Sequence, residues 1–175
     1  VKAVRDGPDI VLDLPGEAPD EIASVIALEL DGEPAAEPFL NRPDAKGVIT
    51  LGVESCEIDT EFEQRAKKEN ALGHVFLTQW TRDRDIPYWV IDAPKAGLYS
   101  VDISYAARRA GAPFTIEAGG AKLEGKAEAT GGDWVFKTRR AGEIRLPAGR
   151  NEVRVRIASA GGTMNLERVV LRPAE

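Results

Sequence analysis

The 175-residue chain holds one histidine, one cysteine and one methionine, and each scarcity closes off a class of chemistry. With His74 alone, zinc sites built on several histidines are excluded, and a Ser-His-Asp triad would have to use His74 as its base. A lone histidine in Gly73-His74-Val75-Phe76 reads as structural rather than catalytic. Cys56 has no partner for an intrachain disulfide and no Cys or His neighbour at metal-ligand spacing, so its expected role is a buried small apolar residue. No Gly-x-Ser-x-Gly elbow occurs, and the glycine pairs are separate turns rather than a strand-to-helix phosphate cradle. No apolar run approaches the ~20 residues of a membrane span, so no membrane partner is expected. The chain opens Val1-Lys2-Ala3-Val4-Arg5-Asp6, without a signal segment, and Met164 is its sole methionine; the expectation is a chain processed or excised from a longer one.

Basic charge is also short. The net charge is −6, and nucleic-acid binding needs a concentrated basic patch, so no nucleic-acid partner is expected. Arg139-Arg140 and the arginines at 150, 154 and 156 fit a solvated face of alternating strands. Acidic residues number 29, but nothing selects from them the pair ~5–10 Å apart that glycoside hydrolysis requires. The chain is therefore expected to be no enzyme on its own.

What the sequence does hold is period two. In Tyr99-Ser100-Val101-Asp102-Ile103-Ser104-Tyr105 the large residues alternate with small or polar ones, which places Tyr99, Val101, Ile103 and Tyr105 on one strand face. Glu152 to Ile157 alternates in the same way. Turn residues separate such runs: Gly119-Gly120 reads as a hairpin turn, and Pro147 to Asn151 joins two strands. Strands are expected near 86–92, 98–105, 113–118, 121–125, 133–138, 143–146, 152–158 and 164–171, a spacing that points to a β-sandwich. Residues 60–70 read equally well as a short exposed helix or an irregular loop. Ile10 to Leu14 and Ser24 to Leu30 read as two further strands. Residues 34–47, with prolines at 34, 38 and 43 and no apolar period, read as a linker. The expected organisation is residues 1–33 as terminal strands of a preceding β-sandwich or strands docked on the module, 34–47 as linker, and 48–175 as one all-β domain.

Aromatics supply the candidate binding residues. A sugar offers apolar C–H faces and many hydroxyls, so its site needs an exposed ring beside a few polar groups. Trp89, in Tyr88-Trp89-Val90-Ile91, reads as core. Trp134 follows the turn Thr130-Gly131-Gly132-Asp133, and Trp80 precedes the polar run Thr81-Arg82-Asp83-Arg84-Asp85, so both are candidates for a rim.

From Tyr88 to Pro173 the chain resembles carbohydrate-binding modules of families 6 and 35. The resemblance rests on Tyr88-Trp89-Val90-Ile91-Asp92, Ala96-Gly97-Leu98-Tyr99-Ser100-Val101, Tyr105-Ala106-Ala107, Thr130-Gly131-Gly132-Asp133-Trp134, Ile144-Arg145-Leu146-Pro147-Ala148-Gly149 and Met164-Asn165-Leu166. It implies a galactose-binding-like jelly-roll β-sandwich with a glycan as partner. It also implies that Trp134 stacks on sugar, although Asp133 is an extra residue before it, that Asn165 hydrogen-bonds sugar hydroxyls, and that Trp80 supplies a second aromatic. Such modules often hold a structural calcium ion. Glu167 stands at the position implied for the last strand, and Glu54 or Glu57 for the first; calcium prefers several oxygen ligands.

The segment from Leu14 to Gly32, through Ala18-Pro19-Asp20 and Val25-Ile26-Ala27-Leu28-Glu29-Leu30, resembles the end of the β-sandwich that follows the barrel in family 29 α-L-fucosidases. This implies an accessory module of a secreted glycoside hydrolase, extracellular or periplasmic, whose catalytic domain belongs to the same polypeptide. The alternative is a structural or oligomerisation domain that binds no sugar. Burial of Trp134 under the chain's own loops would favour that alternative.

Overall fold

Alternation of large and polar residues becomes, in three dimensions, two mainly antiparallel sheets packed face to face. The computed structural model describes residues 2–6, 9–14, 16, 25–27, 29, 32, 38–61, 63–158 and 164–174. The chain divides into two units, Val1–Ala36 and Glu37–Glu175.

In the first unit β1 (Lys2–Asp6) and β2 (Asp9–Asp13) form an antiparallel hairpin with Val4 opposite Val11. β2 lies where the first N-terminal strand was expected; β1 was not expected. The second expected strand, residues 24–30, is not seen: Val25, Ile26, Ala27 and Glu29 are in no strand, and Ser24, Leu28 and Leu30 lie outside the described residues. Val25 is 92% exposed, so its side chain gains almost nothing from burial.

Among its described residues the second unit holds twelve strands: β3 (Leu40–Asn41), β4 (Ile49–Gly52), β5 (Glu57–Asp59), β6 (Lys67–Ala71), β7 (His74–Thr78), β8 (Ile86–Ala93), β9 (Gly97–Ala106), β10 (Pro113–Ala118), β11 (Ala121–Lys126), β12 (Lys137–Leu146), β13 (Gly149–Ile157) and β14 (Asn165–Pro173). One sheet runs β11-β10-β13-β8-β3, with β5 also paired to β8. The other runs β12-β9-β14-β7-β6, with β4 also paired to β14. The inner faces meet through Trp89, Ile91, Ile116, Val153 and Val155 on one side and Tyr99, Val101, Ile103, Leu166 and Val169 on the other, all at most 1% exposed. Each such side chain stabilises the fold by about 1.5–3 kcal/mol relative to exposure. The one polar atom of Trp89 is not stranded there, because its Nε1 donates to the Gly52 carbonyl at 2.8 Å.

This is the all-β sandwich expected from periodicity, with local differences. Residues 133–138 and 143–146 are not two strands: residues from Lys137 onward continue as β12, with a bulge between Arg140 and Gly142, and residues 133–136 stay outside it. The stretch read as linker is partly structural, since Leu40–Asn41 pairs in parallel with β8 and the buried Asn41 donates to the Val90 carbonyl at 3.1 Å. Among the described residues of 60–70 none is helical, and the stretch from Lys67 belongs to β6. Asp85, 1% exposed, accepts from the Arg65 and Ala66 amides at 3.0 and 2.8 Å and from Thr60 Oγ1 at 3.1 Å, which replaces the bonds a helix would supply. The Gly119-Gly120 hairpin turn is present. Both residues have positive φ, and a Cβ on Gly119 would lie 2.4 Å from the Pro147 ring.

Candidate functional site

Thr130 begins the construction. Buried at 2% exposure, it ties the loop between β11 and β12 to the end of β9: its amide donates to the Ala107 carbonyl at 2.8 Å and its Oγ1 accepts from the Ala107 amide at 2.9 Å. The turn that follows, Gly131 to Trp134, is held from two more sides. Asn165, first residue of β14, donates from Nδ2 to the Asp133 carbonyl at 2.7 Å. Arg108 places Nε and Nη2 on Asp133 Oδ2 at 2.9 and 2.6 Å. Trp134 emerges from this turn 47% exposed.

The indole has a built floor. Along β7, Val75 and Leu77 pack toward the main core, so His74 and Phe76 alternate onto the outer face of their sheet. Phe76 is nevertheless fully buried, because two rings cover it: Trp134 meets it edge-on with centroids 5.3 Å apart, and Phe136 lies at 5.2 Å. His74 stacks on Phe136 at 4.5 Å. Sequence reasoning missed Phe76 and Phe136. The available signal was the alternation His74-Val75-Phe76-Leu77, which puts Phe76 on the face opposite Leu77.

Trp80 does not join this site. It is 1% exposed, packs in the main core and donates from Nε1 to the Asp85 carbonyl at 2.6 Å. The polar run after it folds back to supply that acceptor instead of lifting the ring to a rim, so Trp80 cannot be the second stacking aromatic. Asn165 and Trp134 are brought together, but the Asn165 amide nitrogen serves the turn beneath the tryptophan.

Glu167 is 7% exposed and fully engaged by the protein. Oε1 meets His74 Nδ1 at 2.7 Å and Arg168 Nη2 at 2.8 Å, and Oε2 accepts from Ser104 Oγ at 2.5 Å. Neighbouring residues on a regular strand point to opposite faces; here a bulge between the pairs Leu166–Tyr105 and Arg168–Ser104 lets Glu167 and Arg168 meet. Ser104 and His74 both bond the carboxylate and not each other, which is a clasp across β9, β14 and β7 rather than a nucleophile with its base.

The three carboxylates do not fit a calcium site. Glu167 already has a donor on each oxygen, one of them a guanidinium cation, and calcium requires free oxygen ligands. Glu54 lines a cleft of about 210 Å³ with Glu167, but Arg168 lines it too. Glu57 is exposed on β5, in the opposite sheet, paired with Tyr88. Among the described residues no three His, Cys, Asp or Glu side chains are grouped so as to hold a metal ion.

Burial by itself would raise the Glu167 carboxyl; hydrogen bonds from Arg168, His74 and Ser104 outweigh it and hold the group at about 2, against an ordinary 4.5. A depressed carboxylate stabilises the fold above its unfolded value and loses that contribution as pH falls toward the folded one. The displacement is worth on the order of 3 kcal/mol. Urea denaturation is expected to show wild type exceeding Glu167→Gln most at neutral pH, with the gap closing between about 4.5 and about 2; a gap independent of pH would contradict this. Cys56 is fully buried as expected, and that burial pushes its thiol up to about 11.

The fold is shared with carbohydrate-binding modules of families 35 and 6. A family 35 module from Clostridium thermocellum superposes with TM-score 0.62 at 19% identity, covering 73% of this chain and 98% of that one. The GH26-CBM35 β-(1,4)-mannanase of Podospora anserina matches with TM-score 0.61 at 21% identity over 74% of this chain, which spans 28% of the mannanase. A module of Cellvibrio mixtus lichenase 5A, solved in complex with cellotriose, matches with TM-score 0.55 at 21% identity, covering 72% of this chain and 97% of that one. No family model matches the sequence, and no curated protein matches it. Among the described residues no helix is long and apolar enough to cross a membrane.

Proposed function

We propose that residues 37–175 form a non-catalytic carbohydrate-binding module that holds glycan on the exposed indole of Trp134. The observation that carries this reading is the ring itself: nearly half exposed, yet seated on a buried phenylalanine and on a turn tied down by Thr130, Asn165 and Arg108. A rigid, half-exposed ring presents the apolar surface that a sugar face covers at little ordering cost. The burial of Trp134 that would have favoured a purely structural domain is not what is found. One principal ring implies weak affinity, on the order of 10 μM to 1 mM.

Two finer readings rest on sequence resemblance. The ligand is a galactose- or fucose-containing glycan. The host is a secreted α-L-fucosidase, extracellular or periplasmic, with its catalytic domain elsewhere in the same polypeptide. Most of the Leu14 to Gly32 segment behind the host assignment lies outside the described residues. A glycan array probed with the 175-residue chain tests the function. Retention of a defined set of glycans, competed by the free sugar, is expected; retention of none would overturn the proposal.

A further inference from the structure

The outer face of the β7-containing sheet carries a continuous line of contacts from a buried carboxylate to the exposed indole. Glu167 fixes His74 through Nδ1 at 2.7 Å; the His74 ring stacks on Phe136 at 4.5 Å; Phe136 packs on Phe76 at 5.2 Å; Phe76 meets Trp134 at 5.3 Å. Each link restricts the next. The hydrogen bond fixes the imidazole, which is 37% exposed at its side chain and would otherwise be free to turn. The stacked imidazole limits Phe136, and Phe136 shares with Trp134 the task of covering Phe76. Phe136 and Trp134 are also two residues apart in the loop before β12, so a shift of either moves the other.

The positive charge around Glu167 comes from within the chain. Arg168 supplies a guanidinium at 2.8 Å, and the β14 bulge delivers it to the same side as the carboxylate. Ser104, 3% exposed, closes the remaining oxygen from β9. A divalent ion would have to displace one of these donors and sit beside a cation.

We infer that Glu167 is a positioning residue for the Trp134 platform, acting through His74, Phe136 and Phe76 in a clasp whose cation is Arg168 in place of a metal ion. This rests on the reading of Trp134 as the glycan-holding ring. It adds that the ring's geometry depends on a carboxylate several side chains away and is independent of calcium.

The test is ¹⁹F NMR of the chain labelled with 5-fluorotryptophan. The three tryptophans give three signals, and Trp134→Phe assigns the relevant one. Glu167→Gln and His74→Ala are compared with wild type, each with calcium and with chelator. His74→Ala removes the link without leaving the carboxylate unpartnered, which guards against a Glu167 variant that fails to fold. Val170→Ala, on the same strand and outside the line of contacts, is the control for general loosening. Both clasp variants are expected to shift or broaden the Trp134 signal while Trp89 stays put, and to weaken binding of any glycan retained by wild type at least fivefold. Val170→Ala should leave the Trp134 signal in place, and calcium should change neither the wild-type spectrum nor its melting temperature. An unmoved Trp134 signal in folded His74→Ala would overturn the inference, as would a calcium-dependent shift in wild type. The NMR readout needs no ligand, so failure of the clasp and failure of glycan binding are told apart.

Discussion

Trp134→Ala is expected to abolish glycan retention and to leave the fold standing. The ring is 47% exposed and its buried contact is edge-on to Phe76, so truncation opens no closed cavity. Uncovering part of Phe76 should cost about 1–2 kcal/mol of stability, too little to unfold the domain. Binding is a different matter. In a shallow site one aromatic anchor carries most of the contact, and truncating such a residue typically costs about 2 kcal/mol or more, roughly a thirtyfold loss of affinity. Starting from affinities on the order of 10 μM to 1 mM, that loss takes retention below detection in affinity electrophoresis or on an array. Urea denaturation of the same sample checks the fold. Undiminished retention by a folded Trp134→Ala would remove the site assignment, and with it the principal support for the function.

Trp80→Ala is expected to do the reverse. The side chain is 1% exposed within the main core, and a tryptophan-to-alanine change in such a place costs about 3–5 kcal/mol through lost burial and the cavity left behind. A second loss adds to the first. Trp80 Nε1 donates to the Asp85 carbonyl at 2.6 Å, and the Asp85 carboxylate gathers the Thr60, Arg65 and Ala66 groups that shape the 60–66 loop. A buried carbonyl left without its donor costs about 1–3 kcal/mol more. Against a total stability of about 5–15 kcal/mol, the denaturation midpoint should fall steeply. In protein that remains folded, glycan affinity should be unchanged. Loss of glycan affinity without loss of stability would return Trp80 to the binding site.

These two tryptophans mark the boundary of what could be read along the chain. Both precede or follow polar turn residues, and from that pattern both were candidates for a rim. Trp134 reaches one because Thr130, Asn165 and Arg108, from three different segments, hold its turn outward. Trp80 does not, because the polar run after it curls back and offers a carbonyl to the indole. Whether a turn presents or covers a ring depends on partners distant in sequence, and local composition is the same in either case. The surroundings of Glu167 were hidden for a related reason. The family resemblance singled out Glu167 as a metal ligand, whereas the donors it meets come from β7 and β9 and its nearest cation is the next residue in the chain.

Strand periodicity was the durable signal. Tyr99 to Tyr105 and Glu152 to Ile157 bury the alternate residues that their pattern marked, because a pleated strand sends every second side chain to the core whatever its neighbours are. The sequence by itself thus determined the all-β class, most of the strands from Ile86 onward and the buried thiol of Cys56. The tertiary structure alone decided the short strands β3 to β5, whose partners lie far along the chain, and the burial of Trp80. It alone decided the aromatic floor of Phe76 and Phe136 and the set of donors around Glu167. Each of these depends on a register or a bulge. One inserted residue in β14 changes which side chains share a face, and no count of residues along a single strand reveals where that insertion falls.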